Sequence, residues 1–340
     1  MDIELDTYKR SAIAQLTKDF QSQINALNIQ FNMYINSINR LRINNRLKLY
    51  YIKFHRSKYN HIVNGLRTKF AADIKVINLL TNIPGKTNKY ALLVGINYKD
   101  TPNELYGCIN DTNNIKSLLE QKFSFNNFTF LTDDNTNKLP TKLNIINELT
   151  NLLVTSVSGD TLFFLYSGHG TSTSDLNNDE LDGKDELIVP IDATTIQSCI
   201  LDDELNQIIQ TNIKPGVKLF ALFDSCFSGT VLDLKYNYID SDNLTINSNV
   251  SETNGQVIMI SGCKDSQTST DAYVNYNGIN TNSGAMTFSF LQIIQQFGTN
   301  ISLKKLIDSM RLLLKDNGYD QIPQLSSGKE IDINTLLLPF

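Results

Sequence analysis

The sequence predicts an α/β fold with a mainly parallel sheet covered by helices on both faces, preceded by an α-helical N-terminal extension. Two observations support this prediction. Beyond residue 86, continuous apolar runs such as Tyr90–Ile96 and Val217–Phe223 alternate with helical segments, as in buried parallel sheets. Residues 1–83 contain no proline, and from Ile13 onward apolar residues recur every three or four positions, which is typical of amphipathic helices.

The extension is predicted to span residues 1–86 as two helices with a break at Asn44-Asn45, and Pro84-Gly85 ends it. It carries 14 Lys/Arg against 5 Asp/Glu, whereas the other residues carry 16 against 30. Such a basic segment can bind nucleic acid or anionic membranes. We interpret it instead as a solvated helical face next to an acidic neighbour, so no nucleic acid partner is expected.

Residues 87–340 are predicted to form one α/β domain. Further strands are expected at Phe128–Leu131, Thr161–Tyr166 and Val257–Ile260, and helices at Asn113–Gln121, Lys142–Leu153, near Asp202, Ala285–Phe297 and Leu303–Leu314. Because ligands gather at the carboxyl edge of such sheets, the residues that follow each strand are the first candidates for a site.

The composition argues against several classes of protein. With 41% hydrophobic and 19% charged residues, the 340-residue chain resembles a globular protein rather than a disordered one. The four cysteines form no CxxC pair and there are only three histidines, so a structural zinc site is not expected. The start has no signal-peptide pattern, and no apolar run is long enough for a membrane span. We therefore expect a cytoplasmic protein with reduced thiols.

Two residues of complementary chemistry follow predicted strands. His169 comes after Thr161–Tyr166, and Cys226 comes after Val217–Phe223. If the two strands are neighbours, the imidazole and the thiol face each other, and an imidazole that takes the thiol proton creates a strong nucleophile. A core histidine and a small buried cysteine are the ordinary alternatives. Both residues, however, lie in turns rich in Gly and Ser, which favours catalysis.

Five motifs resemble, in order and spacing, those of the metacaspases. They are GCIND at Gly107–Asp111, YSGHG at Tyr166–Gly170, DSCFSG at Asp224–Gly229, SGCKDSQTS at Ser261–Ser269 and GAMTF at Gly284–Phe288. The resemblance implies a caspase-like three-layer α/β/α sandwich, with a large-subunit-like part at 87–233, a linker at 234–255 and a small-subunit-like part at 256–340. It also implies a calcium-activated cysteine endopeptidase that cleaves proteins or peptides after Arg or Lys.

The same resemblance implies the catalytic residues. His169 and Cys226 match the family's dyad, in which the thiolate attacks the scissile carbonyl and the imidazole protonates the departing amine. Backbone N–H groups near Gly170 and Cys226 are expected to stabilise the oxyanion.

A pocket for a basic side chain is implied at Asp111, Ser167 and Asp224. Carboxylates are suited to binding guanidinium or ammonium groups, whereas a pocket for Asp would require arginines. Asp111 has an alternative role as the N-terminal cap of the helix expected near Asn113.

The calcium ligands implied by the resemblance are Asp185, Asp202, Asp203 and Asp233. Several carboxylate oxygens are the ligands that Ca2+ prefers. Asp202 and Asp203 have an alternative role in capping the helix that follows them. Asp182 lies close to Asp185 in sequence and is an alternative at that position.

Self-cleavage is predicted at Lys235 by elimination. Lys235 is the only Lys or Arg between Cys226 and Lys264, and the polar stretch around it is interpreted as an exposed loop. An enzyme restricted to basic P1 residues could cut that loop only after Lys235. Its position two residues beyond Asp233 predicts that calcium binding and cleavage are coupled.

The sequence disfavours two other functions. The intact dyad and acidic pocket argue against an inactive or weakly active caspase-fold scaffold, and the acidic loop cluster argues against a calcium-independent, paracaspase-type peptidase. The extension differs from the proline-rich extension of many type I metacaspases, and a pro-segment, an oligomerising arm and a targeting device are all open interpretations. We expect the protein to be a monomer.

Overall fold

The computed structural model describes residues 3–79, 87–134, 136–174, 184–226, 231–239, 243–262, 271–276 and 279–334. The chain divides into two compact units, Met1–Lys86 and Thr87–Phe340. Among the helices in the described ranges, none combines the length and the apolar character that crossing a bilayer requires.

Two long helices form the first unit, α1 (Ile3–Arg40) and α2 (Asn45–Leu79). They pack as a hairpin in which the rings of Phe31 and Tyr59 stack with their centroids 4.8 Å apart. The break predicted at Asn44-Asn45 coincides with the start of α2. There the Asn44 Oδ1 accepts the N–H of Leu47 at 2.8 Å and so caps the helix.

The second unit alternates strands and helices in chain order. Its strands are β1 (Lys89–Gly95), β2 (Asn127–Thr132), β3 (Thr161–Ser167), β4 (Gly170–Ser174), β5 (Lys184–Ile188), β6 (Ile200–Leu201), β7 (Lys218–Asp224), β8 (Tyr236–Tyr238), β9 (Leu244–Ile246), β10 (Gln256–Ser261), β11 (Asp271–Tyr276), β12 (Ile279–Gly284) and β13 (Gln324–Ser327). Its helices are α3 (Cys108–Phe123), α4 (Lys142–Thr155), α5 (Asp202–Asn212), α6 (Ala285–Phe297) and α7 (Leu303–Asp316).

One mixed sheet of eight strands lies at the centre, in the order β2-β1-β3-β7-β10-β13-β8-β9. The first five strands in that order are parallel, and the last three are joined by antiparallel pairing. The prediction of a mainly parallel sheet is therefore confirmed. All the strands predicted from apolar runs belong to its parallel part.

Helices cover both faces of this sheet, because consecutive strand residues point to opposite sides. Leu93 of β1 packs in one core cluster with Ile115 of α3 and Phe290 of α6. Its neighbour Leu92 packs in the opposite cluster with Leu149 of α4, and that cluster also includes residues of α5. The three-layer α/β/α sandwich is thus confirmed.

Two small sheets, β4-β5-β6 and β11-β12, were not predicted. The sequence of β4, GTSTS, is polar and its residues are half-buried or exposed, so it has no apolar signal. Its position is nevertheless important for the site, because β4 begins at Gly170, directly after His169.

The expectation that residues 234–255 form an exposed loop is wrong for Tyr236–Tyr238. These residues form β8, which pairs with β13 in the central sheet. Tyr236 and Tyr238 are each 7% exposed and belong to a core cluster, whereas Asn237 between them lies on the opposite face of the sheet. Three residues are too short a pattern to predict a strand in such a polar stretch.

Candidate active site

The two dyad residues follow neighbouring strands in matching register. β3 and β7 pair with Ser167 opposite Asp224, and His169 and Cys226 each lie two residues farther on. A Cβ atom at Gly170 would collide with the carbonyl oxygen of Cys226, so the two turns are in backbone contact at this glycine. The sheet therefore places His169 and Cys226 on adjacent turns at its carboxyl edge.

The imidazole of His169 is oriented by a backbone carbonyl. Its Nε2 lies 2.6 Å from the carbonyl oxygen of Asn103. Because a carbonyl oxygen only accepts, Nε2 must carry the hydrogen. Nδ1 is then the nitrogen that can exchange a proton with the Cys226 thiol.

Two buried tyrosines hold the main chain of His169. The hydroxyl of Tyr98 accepts the His169 N–H at 2.9 Å and donates to the carbonyl of Val189 at 2.6 Å. The hydroxyl of Tyr166 donates to the His169 carbonyl at 2.8 Å. The Tyr98 and His169 rings are also packed together, with centroids 4.5 Å apart. Burial is the main cause that raises the pKa of both phenols, so they remain neutral hydrogen-bonding groups.

Replacing Tyr98 with phenylalanine is expected to lower kcat about tenfold with little change in KM. The ring contact with His169 is retained, but the hydroxyl that holds the His169 N–H is lost, and small displacements of a catalytic group are costly. Steady-state kinetics on a peptide substrate measures this. The matched control is Tyr238→Phe, since the Tyr238 hydroxyl also bridges an N–H and a carbonyl, both of Ile331. Equal losses of kcat in both variants would contradict a positioning role for Tyr98.

The three predicted pocket residues converge beside the dyad. Ser167 Oγ donates to Asp111 Oδ2 at 2.7 Å, and Asp111 is completely buried. Ser283 Oγ donates to Asp111 Oδ1 at 2.5 Å, and the N–H of Gly284 lies 3.1 Å from Asp111 Oδ2. The alternative capping role of Asp111 is wrong, because α3 starts at Cys108 and Asp111 falls within its first turn.

Asp224 completes the pocket at the start of α6. Its Oδ2 accepts the N–H of Thr287 at 2.7 Å, so the carboxylate caps that helix and benefits from its dipole. A Cβ at Gly284 would collide with the Asp224 carboxylate, which requires glycine at that position. Burial raises the pKa of Asp111 well above its usual range, and the charge of Asp224 raises it further.

Three of the four predicted calcium ligands form a carboxylate cluster. Oxygens of Asp185, Asp202 and Asp203 lie within 4.8 Å of one another, and Asp185 and Asp202 are each 1% exposed. Asp233 is outside this cluster, but the Asn206 amide binds the carbonyl of Asp233 at 3.0 Å and so ties that segment to α5. The alternative ligand at residue 182 lies outside the described residues.

The alternative capping role of Asp202 and Asp203 is wrong, because Leu201 is the N-cap residue, but both aspartates lie in the first turn of α5, where their charges suit the helix dipole. α5 begins at Asp202, and Asp202 Oδ1 accepts the N–H of Asp203 at 2.8 Å. The other oxygen, Oδ2, accepts the N–H of Glu186 at 2.5 Å, which links α5 to β5. A position in the first turn of α5 and metal binding therefore do not exclude each other here.

Lys235 immediately precedes β8 and is half-buried rather than fully exposed. Its carbonyl accepts the N–H of Asn247 at 2.8 Å. The bond between Lys235 and Tyr236 thus lies at the base of the β8–β9 hairpin.

Several site residues had not been predicted. Ser283, Gly284 and Thr287 supply donors to the acidic pocket. Gly284 and Thr287 belong to the GAMTF motif, but the motif alone does not indicate this role. Tyr98 and the backbone of Asn103 orient His169, and a backbone carbonyl leaves no trace in sequence. The rest of two motifs, 227–229 and 263–269, lies outside the described residues.

Comparisons with known proteins agree with this geometry. Residues 89–235 match the metacaspase peptidase C14 domain. A Metacaspase-1 from Meyerozyma guilliermondii is 39% identical over 306 residues, which cover 75% of this chain and 72% of the relative. A Metacaspase-1 from Arabidopsis thaliana is 39% identical over 245 residues, covering 68% and 66%. A solved structure from Geobacter sulfurreducens matches 74% of this chain and 98% of its own, with 23% identity and a TM-score of 0.54, which supports the fold alone.

A three-layer sandwich with His169 and Cys226 after adjoining strand ends defines a cysteine peptidase of the caspase-like fold. Sequence identity to metacaspases over most of the chain identifies the family within that class. The chain belongs to the metacaspases. The predicted resemblance is confirmed, and the substrates of such a peptidase are proteins or peptides.

Proposed function

We propose that this metacaspase is a calcium-activated endopeptidase that cleaves after Arg or Lys and works as a cytoplasmic monomer. The observation that supports its specificity is the pair of buried carboxylates, Asp111 and Asp224, beside the dyad. The partners of Asp111 among the described residues are hydroxyl and amide groups, which carry no positive charge. A cationic P1 side chain supplies that charge, whereas an acidic one would add a third carboxylate.

Two further features support the proposed cytoplasmic location and the proposed monomeric state. Cys108 and Cys199 are buried free thiols, as expected in a reducing compartment. The outermost strand next to β8 is β9, which has only three residues, and short edge strands pair poorly with a second copy.

Peptide hydrolysis follows from the dyad geometry. Nδ1 of His169 takes the thiol proton, and the Cys226 thiolate adds to the scissile carbonyl. Backbone N–H groups near Gly170 and Cys226 stabilise the oxyanion. His169 then gives the proton to the departing amine, leaving a thioester. A water molecule that loses its proton to His169 hydrolyses the thioester and restores the thiol.

The chemistry of the aspartate cluster fits calcium. Buried carboxylates that lie close together repel one another unless a cation or protons neutralise them, and hard oxygen ligands suit Ca2+. Asp185 lies on β5, whose Ile188 pairs with Gly170, and the N–H of Val189 donates to the His169 carbonyl. A bound ion would therefore stabilise the small sheet that flanks the imidazole.

Calcium is expected to raise the cleavage rate of Arg- and Lys-terminated fluorogenic peptides at least tenfold over chelator, with Asp-terminated peptides uncleaved. The Asp202→Asn/Asp203→Asn variant should lose this response, because each Asn has nearly the size of Asp but removes a negative charge. Asp308→Asn is the control, since Asp308 is a partly exposed residue paired with Lys304. Equal rates in calcium and chelator would exclude calcium activation and leave a calcium-independent peptidase.

We also propose Lys235 as the site of self-cleavage. Because Tyr236 is buried and the Lys235 carbonyl is hydrogen-bonded, cleavage requires local opening of the β8–β9 hairpin. The Asp233 segment is held by Asn206 on α5, the helix that begins with two of the proposed calcium ligands. In this proposal, calcium bound at the start of α5 acts on the hairpin through the Asn206 contacts.

Incubation of the wild-type protein with calcium is expected to create one new amino terminus at Tyr236, detected by mass spectrometry. The Lys235→Gln variant should stay uncut, while Lys329→Gln, a control at another half-buried lysine, should be cut normally. Adding active wild-type enzyme to the Cys226→Ala chain shows whether cleavage occurs between molecules. A first cut elsewhere between 231 and 255 would rule out Lys235.

A further inference from the structure

Helix α2 has two apolar faces, and only one of them packs on α1. The packed face is marked by three ring contacts, with centroids at 3.7 Å for Tyr34–His55, 4.8 Å for Phe31–Tyr59 and 4.5 Å for Phe20–Phe70. Its α2 members recur at spacings close to a helical repeat. This face accounts for the hairpin.

The second face of α2 is exposed. It comprises Leu47 (40% exposed), Tyr50 (64%), Tyr51 (39%), Phe54 (44%) and Ile62 (48%), and we call these five residues the outer stripe. Their offsets of three, four, seven and fifteen residues from the first place them on one side of the helix. Hairpin formation does not explain an apolar stripe of this length, because α1 leaves it uncovered.

The outer stripe lies in a purely basic part of the sequence. Residues 39–58 contain seven Lys/Arg and no Asp or Glu, namely Arg40, Arg42, Arg46, Lys48, Lys53, Arg56 and Lys58. Within the described residues, none of the seven forms an ion pair with a carboxylate. Lys58 Nζ lies 4.7 Å from the centre of the Phe54 ring, so cations border the apolar surface directly.

We propose that the outer stripe and these seven basic residues bind the surface of an anionic phospholipid bilayer. Helices with Lys/Arg beside exposed Leu, Tyr and Phe bury the apolar side chains at the headgroup boundary while the cations contact phosphate and carboxylate groups. Anionic lipids are concentrated on the cytoplasmic leaflet, which a cytoplasmic protein meets. Binding lies along the surface, since neither helix is apolar enough to cross.

Charge and side-chain type distinguish this partner from two others. A second copy of the chain would bring two all-basic surfaces together, which like-charge repulsion opposes. A nucleic acid would satisfy the cations, but Leu47 and Ile62 gain nothing from phosphates or bases. The bilayer boundary accommodates both the cations and the aliphatic side chains.

The absence of tryptophan from the sequence allows a site-specific reporter. In the full chain carrying Cys226→Ala, which prevents self-digestion, Tyr50→Trp should show emission at shorter wavelength with vesicles of phosphatidylcholine and phosphatidylserine. Pure phosphatidylcholine vesicles should cause little change. The matched control is Phe297→Trp, which reports on an exposed ring of the peptidase unit (42% exposed) and should not respond to either vesicle.

Vesicle co-sedimentation then tests the charges and the stripe separately. Lys53→Gln/Arg56→Gln/Lys58→Gln should lower the partition coefficient about a hundredfold, because each basic residue near an anionic surface contributes roughly fivefold. Arg67→Gln/Lys69→Gln/Lys75→Gln removes the same net charge from the part of α2 that follows the stripe and should bind almost normally. Tyr50→Gln/Tyr51→Gln/Phe54→Gln should also bind weakly, whereas Leu143→Gln/Leu312→Gln, exposed apolar residues of the other unit, should not.

Three outcomes would overturn the proposal. One is the absence of any response to anionic vesicles. Another is tighter binding to a single-stranded DNA oligonucleotide that excludes the vesicles, which would assign the surface to nucleic acid. The third is a lipid-free, concentration-dependent response of the Tyr50→Trp reporter with a dimer in sedimentation velocity, which would assign the surface to self-association.

Discussion

Replacing Cys226 with alanine is expected to lower kcat/KM on a basic-P1 peptide at least about a thousandfold without unfolding the protein. The thiolate forms the covalent intermediate, and the other two thiols in the described residues, Cys108 and Cys199, are buried. Cys226 is half-buried after the end of β7, and alanine fits the same backbone, so the free energy of unfolding should change by less than about 1 kcal/mol. Single-turnover kinetics and thermal unfolding measure the two effects.

Cys199→Ala is the matched control for this variant. Cys199 is 5% exposed, and burial raises the pKa of its thiol, which makes it a poor nucleophile. Its replacement should therefore leave kcat/KM nearly unchanged. The His169→Ala/Cys226→Ala double variant should be no slower than Cys226→Ala alone, because residues that act as one unit are not additive. Comparable turnover by wild type and Cys226→Ala would disprove the dyad.

The parallel strands were predictable because they are buried on both faces. Ala91–Ile96 and Leu219–Phe223 are continuous runs without a polar side chain, and only a sheet covered by two layers of helices buries every residue of such a run. The carboxyl ends of those strands were therefore predictable as well. This is why His169 and Cys226 could be proposed as partners from their positions alone.

The rest of the site depends on contacts between distant segments. Ser283 binds Asp111, which is 172 residues earlier, and no local pattern records that pairing. The capping of α6 by Asp224 likewise joins two segments that are 63 residues apart in the sequence. The short strands β4 and β8 are polar or only three residues long, so hydrophobic periodicity could not find them.

Replacing Asp224 with asparagine is expected to lower kcat/KM for Arg-terminated peptides about a hundredfold, which corresponds to roughly 3 kcal/mol. Asparagine keeps an oxygen for the Thr287 N–H, so the cap of α6 survives and the loss reports the missing charge. A neutral P1 analogue should be cleaved by both proteins at similarly low rates. The ratio of kcat/KM for the Arg peptide to kcat/KM for the neutral analogue separates the loss of charge recognition from a general loss of catalytic activity.

The pH dependence of the Asp224→Asn variant sharpens this test. Burial first and the charge of Asp224 second raise the pKa of Asp111, and a bound cation favours the ionised form of Asp111. Cleavage of Arg peptides should therefore increase as pH rises through that pKa. Removing the Asp224 charge lowers the pKa of Asp111, so the acidic limb of the remaining kcat/KM should move to lower pH.

Alkylation of Cys226 by iodoacetamide, which has no cationic group, should proceed at the wild-type rate in the Asp224→Asn variant. If alkylation slowed as much as peptide cleavage, Asp224 would be acting on the dyad and not on the P1 side chain.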